Sequence, residues 1–121
     1  MNPLDKVLLC VEILLERKAT DPVLLKVGNL SSITDYFLIA SGNSSRQVQA
    51  IAQHLHRRMK DKGLNLFGIE GEREGHWVLL DYGDIVVHLF YQPVREFYDL
   101  EGLWVEAPRV EIHEKSIKRK K

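Results

Sequence analysis

Two apolar segments separated by only two residues constrain the fold more than any other feature of the sequence. Residues 77–82 and 85–91 are rich in β-branched and aromatic side chains, and Gly83-Asp84 between them suits a two-residue hairpin turn. Such a turn places Trp77 opposite Phe90 and so fixes the register of all the other cross-strand pairs. Opposed residues share a face of the sheet, so the turn alone predicts the two faces of the hairpin.

The two predicted faces differ in character. One carries almost only apolar side chains and must lie under helices; it comprises Val78, Leu80, Tyr82, Ile85, Val87, Leu89 and Tyr91. The other mixes large apolar groups with an acid and an imidazole; it comprises Trp77, Leu79, Asp81, Val86, His88 and Phe90. We expect this second face to be only partly covered.

The remaining elements follow from periodicity and from capping residues. Apolar residues at helical spacing predict helices over residues 4–17, 45–62 and 94–106. Short runs of β-branched and apolar residues predict strands over residues 23–27, 36–40 and, at a sheet edge, 66–69. The glycine-rich residues 70–75 are predicted to be a mobile loop. Helices and strands in this order predict an α/β domain with a single mixed β-sheet and helices packed on it.

Length and cysteine usage restrict the class of protein. At 121 residues and 14.0 kDa the chain is one domain. The single cysteine, Cys10, lies in the apolar pattern of the first helix and requires no oxidising compartment. No apolar run approaches the roughly 18 to 20 residues of a membrane span, and the N-terminus lacks the basic start of a secretory signal. We therefore expect a soluble, cytoplasmic protein without membrane contact.

Charge divides the chain unevenly. Residues 109–121 contain six basic and two acidic residues, a net charge of +4, whereas residues 1–108 contain eleven basic and fifteen acidic residues, a net charge of −4. An acidic body argues against a nucleic-acid-binding domain, because such surfaces neutralise phosphates with clustered basic residues. We expect a folded domain over residues 1–108 and a solvated, flexible basic tail over 109–121, with weak RNA contact by the tail as the alternative.

Three polar side chains invite an enzymatic interpretation. Asp81, Asp84 and His88 could converge at the hairpin end as metal ligands or as an acid and base. However, Asp84 lies in the turn and the other two belong to offset pairs, so the sequence favours Asp84 holding the turn and His88 pairing with a neighbour.

A second candidate site precedes the second helix. Residues 41–45, Ser-Gly-Asn-Ser-Ser, could bind a phosphate at the helix start, although an ordinary helix cap explains them equally well. No Gly-Lys-Ser or Gly-Lys-Thr follows, and residues 53–58 lack the paired carboxylates of a nucleotidyl-transfer site. His54 and His56 diverge on a helix, so we expect no metal site and no cofactor.

Aromatic residues mark the second face of the hairpin and the predicted last helix. The set comprises Trp77, Leu79, His88, Phe90, Tyr98 and Trp104. A contiguous apolar patch rimmed by polar groups is typical of a protein-binding surface. The alternative is that the last helix folds back over this face as core, and both arrangements can coexist.

Several blocks of the sequence resemble the ribosomal silencing factor family, also called the Iojap family. They are residues 34–42 (TDYFLIASG), 45–48 (SRQV), 77–84 (WVLLDYGD), 86–88 (VVH) and 95–104. The resemblance extends over residues 4–108. It implies a fold related to nucleotidyltransferases that lacks their catalytic acids, and a protein that is not an enzyme.

The resemblance also implies a function. Family members bind the large ribosomal subunit through its fourteenth protein, block joining of the small subunit and lower translation when nutrients are scarce; they are commonly homodimers when free. The partner-binding residues that we expect on this chain, from the resemblance together with the second hairpin face, are Trp77, Leu79, Asp81, Tyr82, Asp84, His88, Phe90, Arg95, Tyr98, Glu101 and Trp104.

The acidic body has the right sign to be steered to a basic ribosomal protein, and the expected mechanism is steric occlusion. The alternative function is a nucleotide-binding or nucleotidyltransferase-like enzyme. It would use residues 41–45 for phosphate, and Asp81 with Asp84 for magnesium.

Overall fold

Six strands form one mixed sheet in the computed structural model, which describes residues 1–112. The elements in chain order are α1 Pro3–Glu16, β1 Thr20–Lys26, β2 Tyr36–Gly42, α2 Ser45–Asp61, β3 Gly68–Glu70, β4 Trp77–Asp81, β5 Ile85–Tyr91, α3 Gln92–Tyr98, α4 Leu100–Leu103 and β6 Arg109–Val110. The strand order is β3-β4-β5-β2-β1-β6, with β2 and β5 parallel and the other neighbours antiparallel. The predicted α/β class with a single mixed sheet is confirmed.

The central hairpin of β4 and β5 has the predicted register. Trp77 pairs with Phe90 and Leu79 with His88. The amide of Tyr82 donates to the carbonyl of Ile85 at 2.8 Å, which closes the two-residue turn. Gly83 has a φ of 89°, a conformation that residues with a Cβ rarely adopt, so this glycine allows the tight turn.

Helices α1 and α2 cover one face of the sheet. Asn2 caps α1 by accepting a hydrogen bond from the amide of Asp5, and Ser44 caps α2 through the amide of Gln47. The apolar stripes of both helices meet the predicted core face, whose side chains Val78, Leu80, Tyr82, Ile85, Val87 and Leu89 are at most 1% exposed. Burial of each such aliphatic side chain contributes roughly 1.5–3 kcal/mol, which makes this face the main core.

Strand β1 is longer than predicted. It begins at Thr20, whereas the sequence predicted a strand over residues 23–27. The register shifts between Thr20 and Val23, and Asp21 has a φ of 55°. A β-bulge therefore accommodates Asp21 and Pro22 within the strand.

The prediction of one helix over residues 94–106 is wrong. The segment forms two short helices, α3 and α4, separated by Asp99 with a left-handed φ of 45°. Aspartate tolerates this conformation better than most residues. Its carboxylate also accepts a hydrogen bond from the amide of Gly102, which caps α4.

Two segments that were predicted to lack fixed structure make hydrogen bonds with the folded domain. Arg109–Val110 forms β6 on Leu24 and Leu25 of β1, so the sheet extends past the predicted domain end at residue 108. Residues 113–121 of the predicted tail lie outside the described residues. The 70–75 loop is anchored rather than loose, since Gln49 on α2 donates to the carbonyls of Glu72 and Arg73 at 3.0 and 2.8 Å.

Candidate functional site

The second face of the sheet is covered along part of its width. Helices α3 and α4 fold back over it and form a small second core, which comprises Leu25, Val27, Ile39, Phe90, Leu100 and Ala107. Half-buried side chains pack around this core, including Phe37, Trp77 and Trp104. The alternative that the C-terminal segment folds back over this face as core is confirmed, and the segment leaves one side of the face open.

Trp77 lies where the covered part of the second face ends. Its indole stacks on Phe90 with ring centroids 4.8 Å apart and tilts against Tyr98 at 5.1 Å. Its Nε1–H donates to Nδ1 of His88 at 3.1 Å. Phe37 makes edge contacts with His88 at 4.8 Å and with Trp104 at 5.1 Å. We call these six residues the aromatic cluster; they comprise Phe37, Trp77, His88, Phe90, Tyr98 and Trp104.

The imidazole within the aromatic cluster is uncharged near neutral pH. His88 is only 4% exposed, and burial lowers its pKa to about 4. The predicted pairing of His88 with a neighbour is confirmed, because Nδ1 accepts the indole hydrogen of Trp77. This hydrogen bond restricts how the indole can turn.

Exposed apolar side chains continue from the aromatic cluster along α3 and α4. Phe97, Leu103 and Val105 are each about 80% exposed, and Tyr98 is 52% exposed. A cleft of about 580 Å³ opens between Trp77 and α3, and Glu74 also lines it. Exposed apolar side chains beside a rimmed cleft are typical of a protein-binding surface. We call Trp77, Phe97, Tyr98, Leu103 and Val105 the open edge.

A buried ion pair holds the two short helices on the sheet. Arg95 on α3 is 5% exposed and donates from Nη2 to Glu101 Oε2 at 3.0 Å, and from Nη1 to the Ser41 hydroxyl at 2.7 Å. A buried charge is tolerated only when it is paired and hydrogen-bonded, and both conditions hold here. Arg95 therefore joins α3 to α4 and to the end of β2.

The carboxylates near the hairpin turn are engaged separately. Asp81 Oδ1 accepts from the amide of Gly83 at 2.8 Å, so Asp81 holds the turn, where we had predicted that role for Asp84. Asp84 Oδ1 instead forms an ion pair with Lys6 Nζ on α1 at 2.9 Å. The two acids and His88 do not converge, and no metal-binding group of three such side chains exists within residues 1–112.

The start of α2 has the hydrogen bonds of an ordinary cap. Ser44 Oγ accepts from the amide of Gln47 at 3.0 Å, and Gln47 Oε1 accepts from the amide of Asn43 at 2.6 Å. Ser41 is buried under Arg95. The amide donors of Asn43 and Gln47, which a phosphate would need, are occupied by side chains of the chain itself.

The other chemically notable side chains have structural partners. His54 is buried against Glu16, with Nε2 and Oε1 2.7 Å apart, whereas His56 is exposed, so the predicted divergence is confirmed. Cys10 is fully buried beside Met59, and burial raises the pKa of its thiol to about 12. It packs in the core as predicted, and an uncharged buried thiol is not a nucleophile.

A model of the family described as "Ribosomal silencing factor during starvation" matches residues 1–121. The chain belongs to this family. The ribosomal silencing factor of Halalkalibacterium halodurans is 44% identical to it over 97 residues, which is 80% of this chain and 83% of that protein. The resemblance found in the sequence is thereby confirmed, and translation regulation is the role that the family name describes.

Two further proteins support membership of the ribosomal silencing factors. A crystal structure of a protein from Chromobacterium violaceum superimposes with a TM-score of 0.84 at 38% identity, covering 86% of this chain and 87% of that one. The mouse protein named "Mitochondrial assembly of ribosomal large subunit protein 1" is 34% identical, over 78% of this chain and 42% of its own length. No helix in the described part of the chain has the length and apolar character needed to span a membrane.

The structure divides the eleven expected partner-binding residues of this ribosomal silencing factor by exposure. Tyr98 is exposed, and six more are half-buried: Trp77, Leu79, Asp81, Asp84, Glu101 and Trp104. Four are buried and offer a partner no surface in this conformation: Tyr82, His88, Phe90 and Arg95. Tyr82 lies in the core under α1 and α2, and Phe90 lies in the second core. His88 is enclosed by the aromatic cluster, and Arg95 on α3 is bound to Ser41 and Glu101.

Sequence reasoning missed three exposed side chains, Phe97, Leu103 and Val105. Phe97 and Leu103 belong to the apolar spacing that predicted one helix over residues 94–106. The left-handed Asp99 divides that helix into α3 and α4, with Phe97 on the first and Leu103 on the second. A Tyr-Asp step within an otherwise helical pattern is the only local signal of this break.

Proposed function

We propose that this protein binds the large ribosomal subunit through the subunit's fourteenth protein and so keeps the small subunit from joining. Occupation of the joining surface then represses translation when nutrients are scarce. The observation that carries the proposal is the open edge, an apolar surface on a chain that belongs to the ribosomal silencing factors. The name of the mouse relative, which refers to the large ribosomal subunit, supports the choice of subunit.

The open edge has the composition of an interface centre. Tryptophan and tyrosine are enriched among residues that dominate binding energy, and Trp77 and Tyr98 lie side by side here. The indole is held on one side by Phe90 and at Nε1 by His88, so little side-chain freedom is lost on binding. Phe97, whose ring lies 5.1 Å from that of Tyr98, extends the apolar area around them.

Charge supports a basic protein as the partner. Residues 1–108 carry a net charge of −4, and a ribosomal protein that binds RNA tends to be basic. The opposite charges of the acidic body and a basic partner speed their encounter, whereas RNA has the same sign of charge as the body and is repelled. The basic residues 109–121 add at most weak contact with ribosomal RNA. In this proposal the protein acts in the cytoplasm and forms a homodimer when it is not bound.

The protein acts by binding rather than by catalysis in this proposal. Asp81 holds a turn, Asp84 pairs with Lys6, and the amides of Asn43 and Gln47 at the start of α2 are capped by side chains. These are the groups that a nucleotidyl-transfer reaction would use for magnesium and phosphate. A large-subunit surface covered by a rigid domain is sufficient to exclude the small subunit by overlap.

Cosedimentation with isolated ribosomal subunits tests the proposal, followed by reassociation of the subunits with the protein present. We expect the protein to sediment with the large subunit alone and to reduce the fraction of joined ribosomes. Binding to neither subunit would overturn the proposal. A magnesium-dependent nucleotide-binding assay on the same preparation would then test the enzymatic alternative.

A further inference from the structure

His88 places an imidazole among aromatic rings beneath the open edge. It is 4% exposed and lies against Phe37, Trp77 and Phe90. Its hydrogen bond with another side chain joins Nδ1 to Nε1 of Trp77 at 3.1 Å. His88 on β5 and Trp77 on β4 are diagonal neighbours, since Trp77 is directly opposite Phe90. Within residues 1–112, the one hydrogen bond of this imidazole is therefore made with a residue of the open edge.

The hydrogen bond determines which nitrogen of His88 carries the hydrogen. An indole N–H can only donate, so Nδ1 of His88 must accept and the hydrogen lies on Nε2. Nε2 is buried and has no hydrogen-bond partner within residues 1–112. Burial lowers the pKa of His88 to about 4, which keeps Nδ1 available as an acceptor at neutral pH.

An apolar side chain would fill this position without burying an unpaired N–H. A buried donor that has lost water and gained no partner is unfavourable. What the imidazole supplies, and what leucine or phenylalanine would not, is the acceptor directed at Trp77. Phe90 and Tyr98 contact the indole only through their rings. The hydrogen bond to His88 is therefore the contact that sets the direction of the indole N–H.

We infer that His88 is a positioning residue: its Nδ1 fixes the indole of Trp77 in the orientation that the ribosomal partner meets, and His88 itself does not touch the partner. This inference rests on the proposed function for the identity of the partner. The two can fail separately, because the orientation of Trp77 is measurable in the free protein.

Three variants test the inference. His88→Leu removes the acceptor, His88→Asn restores an acceptor oxygen the same number of bonds from Cα as Nδ1, and His56→Leu is a matched control on the exposed side of α2. The indole N–H resonance of Trp77 reports orientation in the free protein, with the other tryptophan, Trp104, as internal reference. Urea unfolding reports stability, and cosedimentation with isolated large subunits reports binding.

We expect His88→Leu to shift the Trp77 indole resonance, to keep the unfolding midpoint of the wild type or raise it, and to weaken binding roughly tenfold, the size expected for one hydrogen bond. His88→Asn should recover most of the binding, and His56→Leu should match the wild type. In a Trp77→Phe background, which has no indole N–H, the further change His88→Leu should have no effect on binding.

Two results would overturn the inference. One is an unchanged Trp77 indole resonance in His88→Leu, which would show that Nδ1 does not set the orientation. The other is a loss of binding on His88→Leu that is as large in the Trp77→Phe background, which would show that His88 acts independently of Trp77. If the wild type does not bind the large subunit, the proposed function fails, and the indole resonance alone decides the positioning role.

Discussion

The two faces of the sheet are built from the same strands but are covered in different ways. Two capped helices of 14 and 17 residues close the first face, and its hairpin side chains other than the half-buried Tyr91 are at most 1% exposed. Helices of only seven and four residues cover the second face and leave Trp77 and Tyr98 at an open edge. The comparison teaches that the first face carries most of the stability, and the proposed function assigns partner binding to the second. Substitutions on each face should therefore affect different measurements.

The short helices of the second face depend on tertiary contacts. Helices of this length are not stable by themselves in water. Arg95 compensates by joining α3, α4 and β2 through Glu101 and Ser41. The first face has no such requirement, because the long helices α1 and α2 bury continuous apolar stripes.

The largest effect is expected for a truncation on the first face. Leu80→Ala removes a fully buried side chain from the helical core and should lower the free energy of unfolding by about 2–5 kcal/mol in a urea titration. Binding to the large subunit per folded molecule should not change. A loss below about 1 kcal/mol would show that this face is less tightly packed than its burial indicates.

Acid should destabilise the second face through His88. Its pKa is lowered from 6.5 to about 4 by folding, so the unfolded chain binds a proton more readily, and stability falls as the pH drops from 6.5 towards 4. Between pH 7 and pH 5 we expect a loss of about 2 kcal/mol attributable to this residue. Urea titrations of the wild type and of His88→Leu at both pH values give the free energies of unfolding, and the difference between the two proteins isolates the contribution of His88. An equal pH dependence of the two proteins would show that His88 is not responsible.

Removal of the buried guanidinium should loosen only the second face. Arg95→Met deletes both hydrogen bonds while keeping an apolar stem, and should cost about 1–2 kcal/mol, because Glu101 is partly solvated and can be rehydrated. Amide hydrogen exchange should accelerate across residues 92–107 and stay unchanged in α2. Uniform acceleration over the whole chain would show that the two faces are not independent.

The smallest effect is expected for the basic tail. Truncation after Ile112 keeps β6 and should change binding to the large subunit by less than about threefold, as weak electrostatic contacts do. The loss should shrink further at higher salt. Complete loss of binding would mean that residues 113–121 contribute a principal contact.

Much of the first face could be predicted from the sequence, because local signals determine it. The Gly83-Asp84 turn sets the hairpin register, and that register separates core from non-core side chains. The caps at Ser44 and Gly63 mark where α2 begins and ends. Both kinds of signal act within a few residues, which is the range over which sequence patterns are informative.

The second face was harder to predict because its contacts are between distant residues. Arg95 meets Ser41, which is 54 positions away, and Arg109–Val110 pairs with β1. The left-handed conformation of Asp99 is an alternative to continued helix that no spacing rule distinguishes. The first of these contacts accounts for the burial of Arg95, which the sequence placed among the expected partner-binding residues.

The central claim is that the open edge of the second face binds the large subunit. A matched pair of substitutions tests it most directly: Phe97→Ser on the open edge and Phe67→Ser beside the hairpin turn, where the two phenylalanines are 81% and 70% exposed. Both variants should unfold within about 0.5 kcal/mol of the wild type. Cosedimentation with isolated large subunits should show binding weakened at least roughly tenfold for Phe97→Ser, as for an interface hot spot, and unchanged for Phe67→Ser. Equal binding by both variants, or loss confined to Phe67→Ser, would contradict the account.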